Sequence, residues 1–251
     1  MNGKYVMIAL GGLLVACNYA QQPGSVVCDS LSGNVVAEYP YEKAIRTFEK
    51  QDSVRFPPMN AILFVGSSSI RLWKSLEDDM KGFDVINRGF GGAITEQVLH
   101  FMPRIVFPYK PSVIVHYCGE NDISLGKSPE EIMVNYKAFI QRVHDSLPQA
   151  KILMLSVKPS IKRKNQLAQQ KQLNCLLQDL CQQYDFVDYV DVATPMMKND
   201  TLVREDIFME DSLHMNSRGY EIWTAILREK LSAIRHNKNG VSVSTIPARE
   251  K

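Results

Sequence analysis

The sequence predicts an α/β fold, a three-layer α/β/α sandwich around a five-stranded parallel sheet. Three observations carry that expectation. Five short apolar runs rich in β-branched residues recur along the chain, longer amphipathic stretches separate them, and the first three runs each end in a glycine-containing polar turn. Nearly continuous apolar strands alternating with helices are the pattern of a parallel sheet covered on both faces.

Taken in order, the first seventeen residues, MNGKYVMIALGGLLVAC, read as an export signal, with Lys4 in a short leading region, an apolar run over 5–16 and small residues before Cys17. The run is too short to span a bilayer as a stable helix. Its end, LVAC, resembles the bacterial lipobox. That resemblance implies removal of residues 1–16, lipidation of Cys17 and attachment of an exported protein to a cell-envelope membrane, which several acyl chains together make stable. Residues 17–40 are polar and turn-rich and are expected to form a tether. The folded domain is expected over 41–235. Its strands are AILFVG (61–66), FDVINRG (83–89), SVIVHYCG (112–119), KILMLSV (151–157) and FVDYVDV (186–192), with helical stretches at 69–80, 93–102, 129–146, 162–184 and 217–235. A polar tail, 236–251, follows.

The bulk numbers exclude some partners. With 251 residues the chain can bury a full core without disulfide staples, and 29 basic against 27 acidic residues give no field that would attract nucleic acid. A small-molecule or glycan substrate is the default. Beyond Cys17, the cysteines Cys28, Cys118, Cys175 and Cys181 have no metal-type spacing, so no zinc site, no other metal, no cofactor and no obligatory disulfide are expected.

In sheets of this kind ligands bind outside the carboxyl ends of the strands. GSSS (66–69) follows the first strand, GFGGA (89–93) the second and GEND (119–122) the third, while DSLH (211–214) comes just before the last helix. A serine hydroxyl needs a base to become nucleophilic, a neutral imidazole needs a carboxylate to fix its tautomer, and the tetrahedral oxyanion needs donors aimed at it. Ser, His, Asp, glycine-turn amides and an Asn amide all stand at these candidate rim positions.

Together these blocks resemble the SGNH, or GDSL-type, hydrolase family of esterases and lipases, in the family's order over about 61–235. The resemblance implies the flavodoxin-like SGNH hydrolase fold and a serine esterase. VGSSSIRLW places the nucleophile at Ser68; NRGFGGAIT places an oxyanion glycine at Gly92, with Gly91 the other register; GEND makes Asn121 the side-chain donor. Asp211 and His214 become the orienting acid and general base, and the Ser68 amide a third oxyanion donor. Two departures mark a divergent subgroup, Ser67 where the family has Asp and Ala93 where an Asp commonly follows the second-block glycine. The family spans short-chain acetyl esters on carbohydrates, lysophospholipids and thioesters. With no long apolar insertion to act as a lid, short acyl groups on glycans or small alcohols are expected. Alternatives are a lysophospholipase or lipase, an O-acyltransferase, and a non-catalytic binding protein of the same fold.

Other residues carry plainer expectations. The α/β-hydrolase elbow Gly-x-Ser-x-Gly is not matched, since Ser69 and Ile70 follow Ser68. Ser69 is expected to cap the following helix, His116 and Cys118 to be buried packing, and His100, His144 and His236 to lie on the surface. Arg88 is weighed as a substrate contact. KPSIKRK (158–164) is expected to be a solvated helix start, with Lys158 or Arg163 at the pocket edge, favouring acidic esters, as the other option. Trp73 and Trp223 read as core.

Overall fold

The structure is a computed structural model that describes residues 26–28, 35–37 and 39–240. The expected signal, 1–16, and Cys17 lie outside the described residues, as does the tail from 241 on. Among the described residues no helix is long and apolar enough to cross a membrane.

The chain divides into two units, 1–40 and 41–251. In the first, where a tether is expected, β1 (Val26–Cys28) and β2 (Val35–Ala37) pair antiparallel with Val27 opposite Val36. The two valine pairs of the segment are what the strands are made of.

The second unit begins with α1 (Glu42–Val54), followed by β3 (Ile62–Gly66), α2 (Ser68–Arg71), α3 (Leu76–Asp79), β4 (Val85–Gly89) and α4 (Thr95–Ile105). Then come β5 (Val113–Tyr117), α5 (Glu120–Ser124), α6 (Pro129–Ser146), β6 (Lys151–Leu155), α7 (Leu167–Cys181), β7 (Val187–Val190) and α8 (Ser217–Gly240). All five expected strands form, each within its expected run. They make one parallel sheet in the order β4-β3-β5-β6-β7.

Every position of β3 and β5 is buried, because alternate side chains feed two separate cores. Leu63, Val65, Ile114, Ile152 and Met154 face α1, α4, α6 and α7 through Ile45, Phe101, Phe139 and Leu173. Ile62, Phe64, Val115, Leu153 and Leu155 face α8 and the α2–α3 region through Trp73, Trp223, Leu227 and Leu231. Both tryptophans are core, as the sequence predicts.

β1, β2 and the short α5 have no counterpart in the expected elements, and three further elements differ. The stretch 69–80 is not one helix. Trp73 turns into the core between α2 and α3, and Asp79 Oδ2 accepts from its indole N–H at 2.6 Å and from Ser75 Oγ at 2.6 Å. Helix α8 continues past 235 to Gly240. Helix α1 has no counterpart in the expected elements. It has one fully buried residue, Ile45, with Ala44 and Phe48 partly buried against the same core, and ion pairs add to that hold: Arg104 bonds Glu42 and Glu49, and Arg88 bonds Asp52.

Chain order sends β4 to one side of β3 and β5 to the other. The turns after these three strands therefore converge above the reversal, where an open α/β sheet forms its crevice.

Candidate active site

The turn after β3 is fixed by sterics. Gly66 has φ +141°, and a Cβ there would lie 1.8 Å from the Tyr117 carbonyl oxygen, so no side chain fits. Ser67 is extended and donates its amide to Tyr117 O at 3.0 Å. Ser68 then opens α2, where a first-turn amide has no intrahelical acceptor and is free to serve another group. Ser69, expected as the cap, sits inside the first turn and is buried, and its carbonyl accepts from Tyr220 Oη at 3.0 Å. The cap position belongs to Ser67, whose side chain makes no capping bond.

The segment before α8 delivers the histidine. Asp211 Oδ1 accepts from the amides of Leu213 (3.0 Å) and His214 (2.9 Å), while Oδ2 meets His214 Nδ1 at 2.5 Å. His214 Nε2 lies 3.1 Å from Ser68 Oγ. This geometry fits the tautomer in which Nδ1–H donates to the carboxylate and Nε2 accepts the serine proton. Partial burial by itself would raise the Asp211 pKa, but the bonds from the His214 backbone, the His214 ring and the Leu213 amide outweigh it and hold the carboxyl at about 2. The carboxylate therefore stays ionised until the solution is strongly acidic. Backbone bonds from Met209 N to His214 O, Ser212 N to Met209 O and Lys162 N to Ser212 O stitch the segment in place.

On the opposite wall, Gly92 adopts φ +79°, and a Cβ there would come within 2.9 Å of Tyr41 Oη beneath the turn. Asp122 braces this turn by accepting from Thr95 N and Oγ1. Asn121, in the first turn of α5, donates from Nδ2 to Ala93 O at 3.0 Å and accepts at Oδ1 from Arg163 Nη2 at 3.0 Å. A guanidinium can only donate, so Arg163 forces the amide oxygen toward itself and the nitrogen, with its second hydrogen, away.

Behind Asn121 lies a buried ionic group. Glu120 pairs with Lys158 at 3.1 Å and Arg163 at 3.3 Å and also accepts from Tyr117 Oη at 3.0 Å. Lys158 donates further to Leu213 O at 2.8 Å, joining this wall to the histidine segment. Ser68, Arg71, Gly91, Gly92, Glu120, Asn121, Arg163, Leu213 and His214 enclose a cavity of about 510 Å³.

All the residues proposed from sequence for the chemistry, Ser68, Gly92, Asn121, Asp211 and His214, thus converge, and Gly91 lies beside them. The solvated helix start expected at 158–164 is corrected. Lys158 is fully buried because Glu120 and Leu213 O take up its charge, and Arg163 reaches the cavity. Arg88, weighed as a substrate contact, points instead to Asp52, Asn87 O and Tyr109 Oη and does not line the cavity. His116 is buried against Phe139 and Tyr136, and burial pushes its pKa down to about 3. Burial raises the Cys118 thiol well above its ordinary value, which leaves it a neutral filler. His100, His144 and His236 are exposed. Sequence reasoning missed Glu120 and Arg71. Arg71 is one helical turn after Ser68, a spacing that puts both on one face and could have flagged it.

The profile of the GDSL-like Lipase/Acylhydrolase family matches residues 64–222. Among curated proteins, the chain is 30% identical over 165 residues to platelet-activating factor acetylhydrolase IB subunit alpha2 of Homo sapiens, covering 63% of this chain and 70% of the relative. It is 26% identical over 168 residues to subunit alpha1 of Rattus norvegicus, covering 63% and 69%. Among solved structures, a GDSL-like lipase from Bacteroides thetaiotaomicron superposes with TM-score 0.66 at 18% identity, over 76% of this chain and 98% of the other. A lipase/acylhydrolase from Enterococcus faecalis gives TM-score 0.58 at 19% identity, over 70% and 97%. At those identities the structural likeness is one of fold.

Proposed function

Because the chain belongs to the GDSL-like lipase/acylhydrolase family and is a carboxylic ester hydrolase, we propose that Ser68, His214 and Asp211 carry its chemistry. The observation that supports this most is the single line from Asp211 through His214 to Ser68, with separations of 2.5 and 3.1 Å. Ser68 Oγ attacks the ester carbonyl carbon as His214 Nε2 takes its proton, and Asp211 stabilises the imidazolium. The carbonyl oxygen becomes an oxyanion that meets the amides of Ser68 and Gly92 and the second Nδ2 hydrogen of Asn121. Collapse breaks the bond to the alcohol, which leaves with the proton from His214. Water then attacks the acyl-enzyme with His214 as base, and the acid departs.

The substrate is a short acyl ester, acetyl in type, of a glycan or small alcohol. A cavity of about 510 Å³ lined mostly by polar side chains supports that, as does the acetylhydrolase activity in the names of the relatives. A panel of esters graded by acyl length and leaving group, run beside Ser68→Ala, tests it. Rates that rise with chain length would replace the short-acyl reading with a lipase-type one, and product analysis with a glycan acceptor separates hydrolysis from acyl transfer. The sequence also supports an export signal over 1–16 and a lipid anchor at Cys17. An acyl probe should label the wild type and not Cys17→Ser, and label retained in the variant ends that proposal.

A further inference from the structure

The charges around the cavity do not balance. Its lining holds two guanidinium groups, Arg71 and Arg163, and one carboxylate, Glu120. Glu120 is buried and already shared between Lys158 and Arg163, so three cations stand against one anion. Asp211 is not in the lining, and its oxygens are occupied by the His214 ring and two amides. The two arginines are not equivalent. Arg163 has Nη1 on Glu120 and Nη2 on Asn121. Arg71 is exposed; its backbone amide donates to Ser67 O, while among the described residues its guanidinium makes no hydrogen bond or ion pair. It also lies against the oxyanion turn, since a Cβ built on Gly91 would be 2.6 Å from Arg71 Nε. Helix α2 therefore presents the serine and, one turn on, an unpaired planar cation to the same cavity.

Resting on the esterase reading above, we propose that Arg71 is a specificity-determining residue that selects esters carrying an anionic group, a carboxylate or a phosphate, within reach of the reacting carbonyl. A guanidinium offers a rigid fork of donors that matches both anions. The three neighbouring donors of the oxyanion site reinforce the same sign of potential. The buried Glu120 does not cancel it, because that carboxylate is held between Lys158 and Arg163.

Two matched pairs of esters test the proposal. In one the acyl half is charged: 4-nitrophenyl hemisuccinate against 4-nitrophenyl butyrate, which has the same number of acyl carbons. In the other the alcohol half is charged: monoacetyl glycerol phosphate against monoacetyl glycerol. The readout is the ratio of kcat/KM for the charged over the neutral member, taken within each protein. The wild type should show a ratio of about ten in at least one pair, and the pair that shows it identifies the half of the ester that Arg71 reads. In Arg71→Gln that ratio should fall toward one, in Arg71→Lys it should fall only part of the way, and in the wild type it should shrink as salt is added. A wild-type ratio of one or less in both pairs overturns the proposal, as does a ratio that Arg71→Gln leaves unchanged. If Ser68-dependent hydrolysis is missing on every ester, the esterase reading fails instead. Equilibrium binding of the charged and neutral alcohol esters then decides the charge claim alone: tighter binding of the charged ester that Arg71→Gln removes upholds it, and equal affinities sink it.

Discussion

The two walls of the cavity are built in opposite ways. The side chains of His214 and Asp211 are 24% and 42% exposed, and their segment is held chiefly by backbone bonds among neighbours. Across from them the side chains of Lys158 and Glu120 are 1% and 6% exposed, and the bonds from Arg163 to Asn121 and from Lys158 to Leu213 join residues 42 and 55 positions apart. Under the proposed chemistry the difference has a use: the buried charges hold Arg163, and through it Asn121, in place before any substrate arrives, and a donor fixed in advance stabilises an oxyanion best.

That contrast can be tested by removing one part at a time. Ser68→Ala should lower kcat/KM by about 10⁴- to 10⁶-fold with an unchanged melting temperature, because only binding and the oxyanion donors remain. Activity that persists there and disappears in Ser67→Ala would move the nucleophile. Asp211→Asn should lower kcat by about 10⁴-fold, since an amide opposite Nδ1 favours the wrong tautomer. Asn121→Ala should reduce kcat by about 10²- to 10³-fold with KM nearly constant, and a variant that melts early yet turns over normally would make Asn121 a turn residue only.

Arg163→Met probes the buried wall. It frees the Asn121 amide to rotate and leaves Glu120 with one cation fewer. A loss of roughly tenfold in kcat is expected, together with a lower melting temperature, because a buried carboxylate has lost a partner. A melting change alone, with kcat intact, would separate the ionic group from the chemistry. The smallest effect is on acid stability. The Asp211 carboxyl is held at about 2 in the folded protein against 3.8 when free, so it contributes stability that is fully present above about pH 4 and is lost as pH falls through 2. Its exposure leaves that contribution screened and small. Urea melts between pH 4 and 2 should show a flatter acid slope in Asp211→Asn than in the wild type.

The chemistry-bearing blocks were the legible part. Asp211 and His214 are three residues apart, Ser68, Gly92 and Asn121 each follow an apolar run, and the family resemblance of the four blocks taken together assigned their roles. The ionic wall was not legible. Glu120 reads as a polar loop residue, and KPSIKRK as a solvated stretch, until the fold brings them together across forty residues. Helix α1 escaped for a related reason. Its apolar side is short, Ala44, Ile45 and Phe48, and Arg104 and Arg88 from distant elements supply the rest of its hold. Trp73 broke the helix expected over 69–80 because tertiary packing of its indole overrode the local period.

The aromatic packing next to the start of α2 makes the chain its own optical reporter. The two tryptophans are the only ones in the sequence, and their rings lie 6.0 Å apart at the joint between α2 and α8. Tyr220 stacks on Trp73 at 5.1 Å, and its hydroxyl holds Ser69 O, one residue from Ser68. All tryptophan emission therefore originates from one buried spot that Tyr220 links to the residue after Ser68. Intrinsic fluorescence of the unlabelled protein should follow acylation and substrate docking in real time, with no background from tryptophans elsewhere in the fold.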